Sequence, residues 1–60
     1  MQLEYTKLIL EKVSFDRHLF QKELLKAING LRKMDSIRLK KWALDNYYLM
    51  AFPVIISHSW

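Results

Sequence analysis

The first apolar repeat of the chain has the spacing of an α-helix. Between residues 2 and 13, apolar side chains cluster on one stripe while Glu4, Lys7 and Glu11 share the opposite stripe, as a period of 3.6 residues requires. The charges on that polar stripe alternate in sign, which is typical of a solvated outer face. The pattern therefore predicts a first helix over residues 2–13.

A second helix is indicated by both a start signal and a stop signal. Asp16 directly precedes an apolar repeat, where its carboxylate can accept a hydrogen bond from a backbone amide of the first turn. Phe15 and Phe20 flank this position at the spacing of a hydrophobic staple. Gly30 tolerates the left-handed conformation that often follows the last helical residue. These signals predict a helix over residues 16–29.

The start signal recurs at Asp35, with Met34 and Leu39 at the two staple positions. We expect this third helix to end shortly before Pro53, because proline lacks an amide hydrogen and disfavours the helical conformation of the residue before it. The predicted range of the third helix is 36–51.

Beyond Asn46 the polar face disappears, because apolar and aromatic side chains surround the helix axis over residues 47–52. In the segment 53–60, Pro53 is followed by three β-branched residues and then by more polar ones, which favours an extended tail. The predicted fold is therefore all-α, a small three-helix bundle with an extended C-terminal tail in one domain of residues 1–60. The predicted core consists of Leu8, Ile9, Val13, Phe20, Leu24, Ala27, Ile28, Leu31, Leu39, Ala43 and Tyr47.

This core leaves a surplus of apolar side chains in the last third of the chain. A domain of 60 residues buries only about 60% of the surface of its unfolded chain, and the sequence has no cysteine to form a stabilising disulfide. Yet 52% of the residues are hydrophobic. We therefore predict a protein-protein interface, most simply that of a twofold homodimer or of a complex with another protein. Its predicted residues are Tyr48, Leu49, Met50, Phe52, Val54, Ile55 and Ile56.

No residue pattern indicates catalysis, a metal or a cofactor. The chain contains no thiol, and its single glycine cannot form a glycine-rich phosphate loop. Its two histidines, His18 and His58, lie forty residues apart and have no metal-ligand spacing. We expect no enzymatic activity, no cofactor and no metal, and no signature ranks a small-molecule ligand.

The alternative hypothesis is a small nucleic-acid-binding regulator. The formal net charge is +4, and five cations fall within ten residues, namely Arg32, Lys33, Arg38, Lys40 and Lys41. They span a unit that resembles a helix-turn-helix, and contacts to phosphates would explain such a cluster. Two observations oppose this hypothesis: the predicted turn of six residues exceeds the usual three or four, and base-reading side chains are few.

The uncharged segment from Tyr47 to Ile56 is too short to span a bilayer, which needs about 18 or more apolar residues, and Pro53 interrupts it. The first residues lack the basic start of a secretory signal peptide. The sequence therefore predicts a cytoplasmic protein with little affinity for membranes, whose leading role is non-catalytic protein interaction or self-association.

Overall fold

A computed structural model describes the backbone of residues 2–58 and the side chains of residues 2–57. Within that range the chain is all-α, with four helices and no strand. The class is therefore confirmed, but the predicted count of three helices is wrong. The helices are α1 (Leu3–Lys12), α2 (Arg17–Gly30), α3 (Lys33–Asn46) and α4 (Tyr48–His58).

The predicted start of α2 is confirmed at its cap. The backbone amide of Leu19 donates to the Asp16 carboxylate at 3.1 Å, which satisfies one donor that the helix itself leaves free. The predicted staple does not form, because Phe15 is 83% exposed while Phe20 is fully buried. Met34, predicted to form a second staple, is exposed as well.

The connection between α2 and α3 is shorter than predicted. α2 ends at Gly30 without a positive φ angle, and only Leu31 and Arg32 separate the two helices, both in extended conformation. Because α3 already begins at Lys33, Asp35 lies in its first turn and is not its cap. An acidic side chain in the first turn stabilises the helix through its dipole, so Asp35 marks the start of α3 although the predicted cap position is wrong.

A buried hydrogen bond fixes this tight connection. The Ser36 hydroxyl donates to the backbone carbonyl of Ile28 at 3.2 Å, and Ser36 itself is buried. The hydroxyl thereby satisfies a carbonyl near the end of α2, where the helix has no further amides to offer. The start of α3 is thus bound to the last turn of α2.

The predicted third helix is divided into two at Tyr47. The Tyr47 amide still donates to Ala43 of α3, at 2.7 Å, while the Tyr47 carbonyl accepts the amide of Ala51 in α4, at 2.8 Å. With φ −138° and ψ 49°, Tyr47 is the single non-helical residue between the two helices. The break allows α4 to fold back and pack on both α2 and α3.

Pro53 lies inside α4 and does not end it. Its missing amide leaves the carbonyl of Leu49 without the usual helical donor. A proline in a helix interior costs about 3 kcal/mol, but the helix buries Val54 and Ile55 in the core. The predicted extended tail 53–60 is therefore wrong as far as residue 58, and its last two residues lie outside the described range.

The core lies where α2, α3 and α4 meet, and α1 packs against α2 and α3 at its side. Six predicted core residues are buried, and Val13, Leu31 and Tyr47 pack half-buried against them. The four helices also bury four apolar side chains outside the predicted core, of which only Val54 and Ile55 lie in the segment predicted to be extended. The confirmed six are Phe20, Leu24, Ala27, Ile28, Leu39 and Ala43, and the additions are Leu10, Ala51, Val54 and Ile55.

The predicted inward side of α1 is partly wrong. Leu8 is 55% exposed, whereas Thr6 and Leu10, four residues apart, are buried. Ile9 is half-buried at the edge of this face. Thr6 can face inward because its hydroxyl donates to the backbone carbonyl of Gln2 at 2.8 Å, so the buried oxygen is satisfied.

Candidate protein-interaction surface

α4 is apolar on two opposite sides. Its inner side, which includes Val54 and Ile55, belongs to the core. Five further residues, spaced at i, i+1, i+4, i+5 and i+8, form a stripe along the solvent side. This stripe, which we call the outer face of α4, consists of Tyr48, Leu49, Phe52, Pro53 and Ile56.

The outer face is open to solvent. Leu49 is 80% exposed, and Tyr48 and Ile56 are each more than half exposed. Phe52 is 40% exposed and stacks on Tyr48 with 5.2 Å between ring centroids and 25° between the ring planes. The two rings thus support each other in a fixed arrangement on the surface, which lowers the entropy lost when a partner covers them.

A depression lies beside the outer face, between α4 and the end of α3. It has a volume of about 260 Å³ and is lined by Leu44, Phe52, Ile55 and Ile56, and we call it the apolar hollow. An interior cavity of about 150 Å³ already holds a benzene molecule, so the hollow has room for one large apolar side chain. All four lining residues are hydrocarbon in character, so the hollow favours an apolar occupant.

An open groove extends the apolar surface beyond the start of α4. It separates the α1–α2 connection from the α3–α4 junction and has a volume of about 470 Å³. Phe15 borders it as the most exposed large apolar side chain among the described residues. Arg17 and Asn46 add polar groups at the edge, as expected of the rim of an interaction surface.

Contacts with α2 and α3 hold α4 in place. The Gln21 side-chain amide donates to the backbone carbonyl of Met50 at 2.9 Å, which links α2 to the first turn of α4. At the junction, the ring of Tyr47 contacts those of Phe20 and Trp42, with centroid distances of 4.9 and 5.7 Å. The outer face is therefore presented by a helix that is anchored at its amino-terminal end.

The structure divides the predicted interface residues into two groups. Tyr48, Leu49, Phe52 and Ile56 lie together on the outer face. The other three predicted interface residues pack within the chain itself: Val54 and Ile55 are buried, and Met50 is half-buried against the core. The prediction also missed three surface residues, Pro53, Leu44 and Phe15. Helical spacing would have placed Pro53 on the stripe, but nothing in the sequence brings the other two towards α4.

The cations proposed for nucleic-acid binding do not form one open basic face. Arg38 pairs with Asp35 at 3.4 Å, and Lys41 lies 3.8 Å from Asp45. Lys40 is half-buried, and it lies two residues from Arg38, which places the two on nearly opposite sides of α3.

Arg32 and Lys33 are exposed at the connection between α2 and α3. That connection has two residues, so the expected turn of six is wrong. Two residues are nonetheless fewer than the three or four of a typical helix-turn-helix, so the unit still departs from that motif.

The described residues also contain neither a cluster of metal ligands nor a membrane-spanning helix. In that part of the chain no three potential ligands of the His, Cys, Asp or Glu type come together as a metal site. None of the four helices has both the length and the apolar character needed to cross a bilayer, as far as the described residues go.

Comparison with known proteins finds no match to a family model, to a curated protein or to a solved structure. The geometry of the chain's own surface is therefore the basis for inferring a function. Its most distinctive feature is the outer face of α4 together with the neighbouring apolar hollow.

Proposed function

We propose that this chain is a non-catalytic protein-interaction module that uses the outer face of α4, most simply to form a twofold homodimer. One observation carries the proposal: Tyr48, Leu49, Phe52 and Ile56 are exposed together on one side of a helix whose other side is in the core. A contiguous apolar patch on a small protein is typical of an interaction site.

The size of the patch fits a small interface. With about 200 Å² for a fully exposed large side chain, the outer face presents roughly 500 Å² of apolar surface. Two such patches would bury roughly 1,000 Å² in total, the lower limit of specific protein interfaces. Because association also costs translational and side-chain freedom, we expect a dissociation constant on the order of micromolar.

The electrostatics of the outer face also favour burial. The sequence contains no charged residue from Asn46 to Ser57, so covering the outer face removes no ionised side chain of residues 46–57 from water. The nearest pair along the chain, Lys41 and Asp45 on α3, is exposed. Charges at such a rim influence the rate and orientation of encounter more than the affinity.

A polyanion-binding role has weaker support. Two of its five cations, Arg38 and Lys41, are paired with carboxylates of the same helix. These carboxylates would repel phosphates at the same place where the cations attract them.

A charge-introducing substitution tests the proposed interaction. Leu49→Asp places a carboxylate in the middle of the outer face, where a partner would have to desolvate it, and should weaken self-association at least tenfold. Sedimentation equilibrium over a range of concentrations should show the wild-type mass rising from 7.3 kDa towards twice that value, while the variant stays monomeric.

Leu8→Asp is the matched control. Leu8 is also an exposed leucine, but it lies on α1, so its substitution should leave self-association unchanged. Circular dichroism of both variants verifies that the helices are retained. A wild-type chain that stays monomeric at millimolar concentration, or equal association by both variants, would contradict the proposed homodimer.

A further inference from the structure

On the basis of the proposed function, we infer that the partner is a second copy of this chain, bound so that the two α4 helices run antiparallel and Leu49 of each copy enters the apolar hollow of the other. The starting observation is that one helix carries both a protruding side chain and a cavity. Leu49 is 80% exposed, and the hollow beside α4 is apolar and is not filled by any side chain of residues 2–57.

The spacing between these two features suits a twofold arrangement. Leu49 lies in the first turn of α4, whereas the hollow is lined by Phe52, Ile55 and Ile56 farther along the helix. Leu49 and Ile56 are seven residues apart, which is two helical turns and about 10.5 Å along the axis. They therefore point to the same side, at opposite ends of the outer face.

Antiparallel pairing makes the contact reciprocal. When two copies of α4 run in opposite directions, the amino-terminal half of each faces the carboxyl-terminal half of the other, so each Leu49 meets a hollow. Parallel pairing would instead place Leu49 against Leu49 and hollow against hollow. It would leave two cavities unfilled, which close-packed interfaces avoid.

The centre of this arrangement also favours a second copy. Phe52 lies halfway between Leu49 and Ile56, so the two Phe52 rings come close to the twofold axis. Each ring is already held by its stack on Tyr48. Ordered aromatic side chains at the middle of an interface commonly supply much of its affinity. Antiparallel helices also oppose their dipoles favourably.

Because the chain has no cysteine, introduced thiols report on helix direction without interference. A disulfide needs Cα atoms within about 7 Å of each other. Antiparallel pairing brings residue 49 of one copy close to residue 56 of the other, but keeps the two residues 49 apart. Mixing the Leu49→Cys and Ile56→Cys variants under mild oxidation should therefore give at least fivefold more of the mixed disulfide dimer than of either homodimer.

The control mixture pairs Leu8→Cys with Ile56→Cys and measures random collision. A Leu49→Cys homodimer as the main product would show parallel pairing and overturn the inference. Cross-linking no higher than the control would overturn it as well. Sedimentation of the wild type distinguishes failure of the antiparallel arrangement from failure of the proposed homodimer. If the wild type is a dimer but the mixed disulfide does not form, only the antiparallel arrangement is refuted. If the wild type is a monomer, the proposed homodimer is refuted too.

A second variant tests the hollow directly. Leu44→Trp should fill the hollow from within its own chain, and Leu44 is the lining residue contributed by α3. We expect self-association to weaken at least tenfold while the helical circular dichroism signal is retained. Unchanged association would show that Leu49 does not occupy the hollow. Leu25→Trp controls for the added bulk, because Leu25 is a half-buried residue of α2 that does not line the hollow.

Discussion

α2 and α4 both bury an apolar side in the core, but they differ in the side that faces solvent, which is polar in α2 and apolar in α4. α2 has a capped start at Asp16, one buried side and one polar side that includes His18 and Lys22. α4 contains Pro53, lacks charged residues up to Ser57 and is apolar on both sides. The comparison shows that burial within the chain accounts completely for the pattern of α2 but for only half of the pattern of α4. The unaccounted half is the outer face.

Two neighbouring isoleucines test this division most strongly. Ile55→Ala removes a buried side chain and should lower the free energy of unfolding by about 2 to 5 kcal/mol, a large part of what a domain of this size possesses. Ile56→Ala, one residue on but on the outer face, should change it by less than about 0.5 kcal/mol in dilute monomer.

Urea denaturation followed by circular dichroism at low protein concentration measures both values. Sedimentation should then show that Ile56→Ala weakens self-association, because this variant keeps its fold but loses a side chain of the outer face. Equal losses of stability from the two substitutions would mean that α4 does not have distinct inner and outer sides.

Replacing Pro53 tests how much the interrupted hydrogen bonding of α4 costs relative to an uninterrupted helix such as α2. Pro53→Ala restores the amide that can donate to the Leu49 carbonyl, and Pro53 is exposed, so little packing is lost. We expect the free energy of unfolding to rise by about 1 to 3 kcal/mol, measured by urea denaturation. A decrease would indicate that the proline ring stabilises the monomer by contacts that outweigh the missing hydrogen bond.

The smallest expected effect compares the two acidic start signals. Asp16→Ala removes the cap of α2 and should cost about 1 kcal/mol of stability. Asp35→Ala removes a first-turn charge and an exposed ion pair with Arg38, so its cost should be about 0.5 kcal/mol. Thermal denaturation of both variants ranks them, and an equal or larger cost for Asp35→Ala would contradict the assignment of the two positions.

Features that depend on residues close together in the sequence were predictable, whereas features that depend on contacts between helices were not. The start of α2 was predictable because Asp16 acts on a backbone amide three residues away. The left-handed conformation predicted for Gly30 is wrong, because Gly30 is the last helical residue of α2 and has no positive φ angle. The division between α3 and α4 at Tyr47 was not predictable, because the Tyr47 ring contacts Phe20 and Trp42 only when the helices pack together. The prediction that the helix ends before Pro53 is wrong, because the apolar burial gained by α4 outweighs the local preference of proline against a helix interior.

The candidate site was predictable in composition but not in geometry. The surplus of apolar residues after Asn46 indicates the segment that contains the outer face of α4. An extended chain, however, places Val54 and Ile56 on the same side, whereas a helix places them on different sides. Only the helical conformation reveals that Val54 packs inside while Ile56 remains in solvent.

The one-residue length of the junction at Tyr47 has a consequence for how α4 chooses its orientation. A helix that is apolar all round has no amphipathic pattern of its own to select the side that turns inward. Each added or deleted residue would rotate every following side chain by about 100° around the axis. The rotational phase of α4 is therefore dictated from outside the helix, and a single insertion beside Tyr47 would exchange residues between the protein interior and its contact surface without altering one side chain of α4.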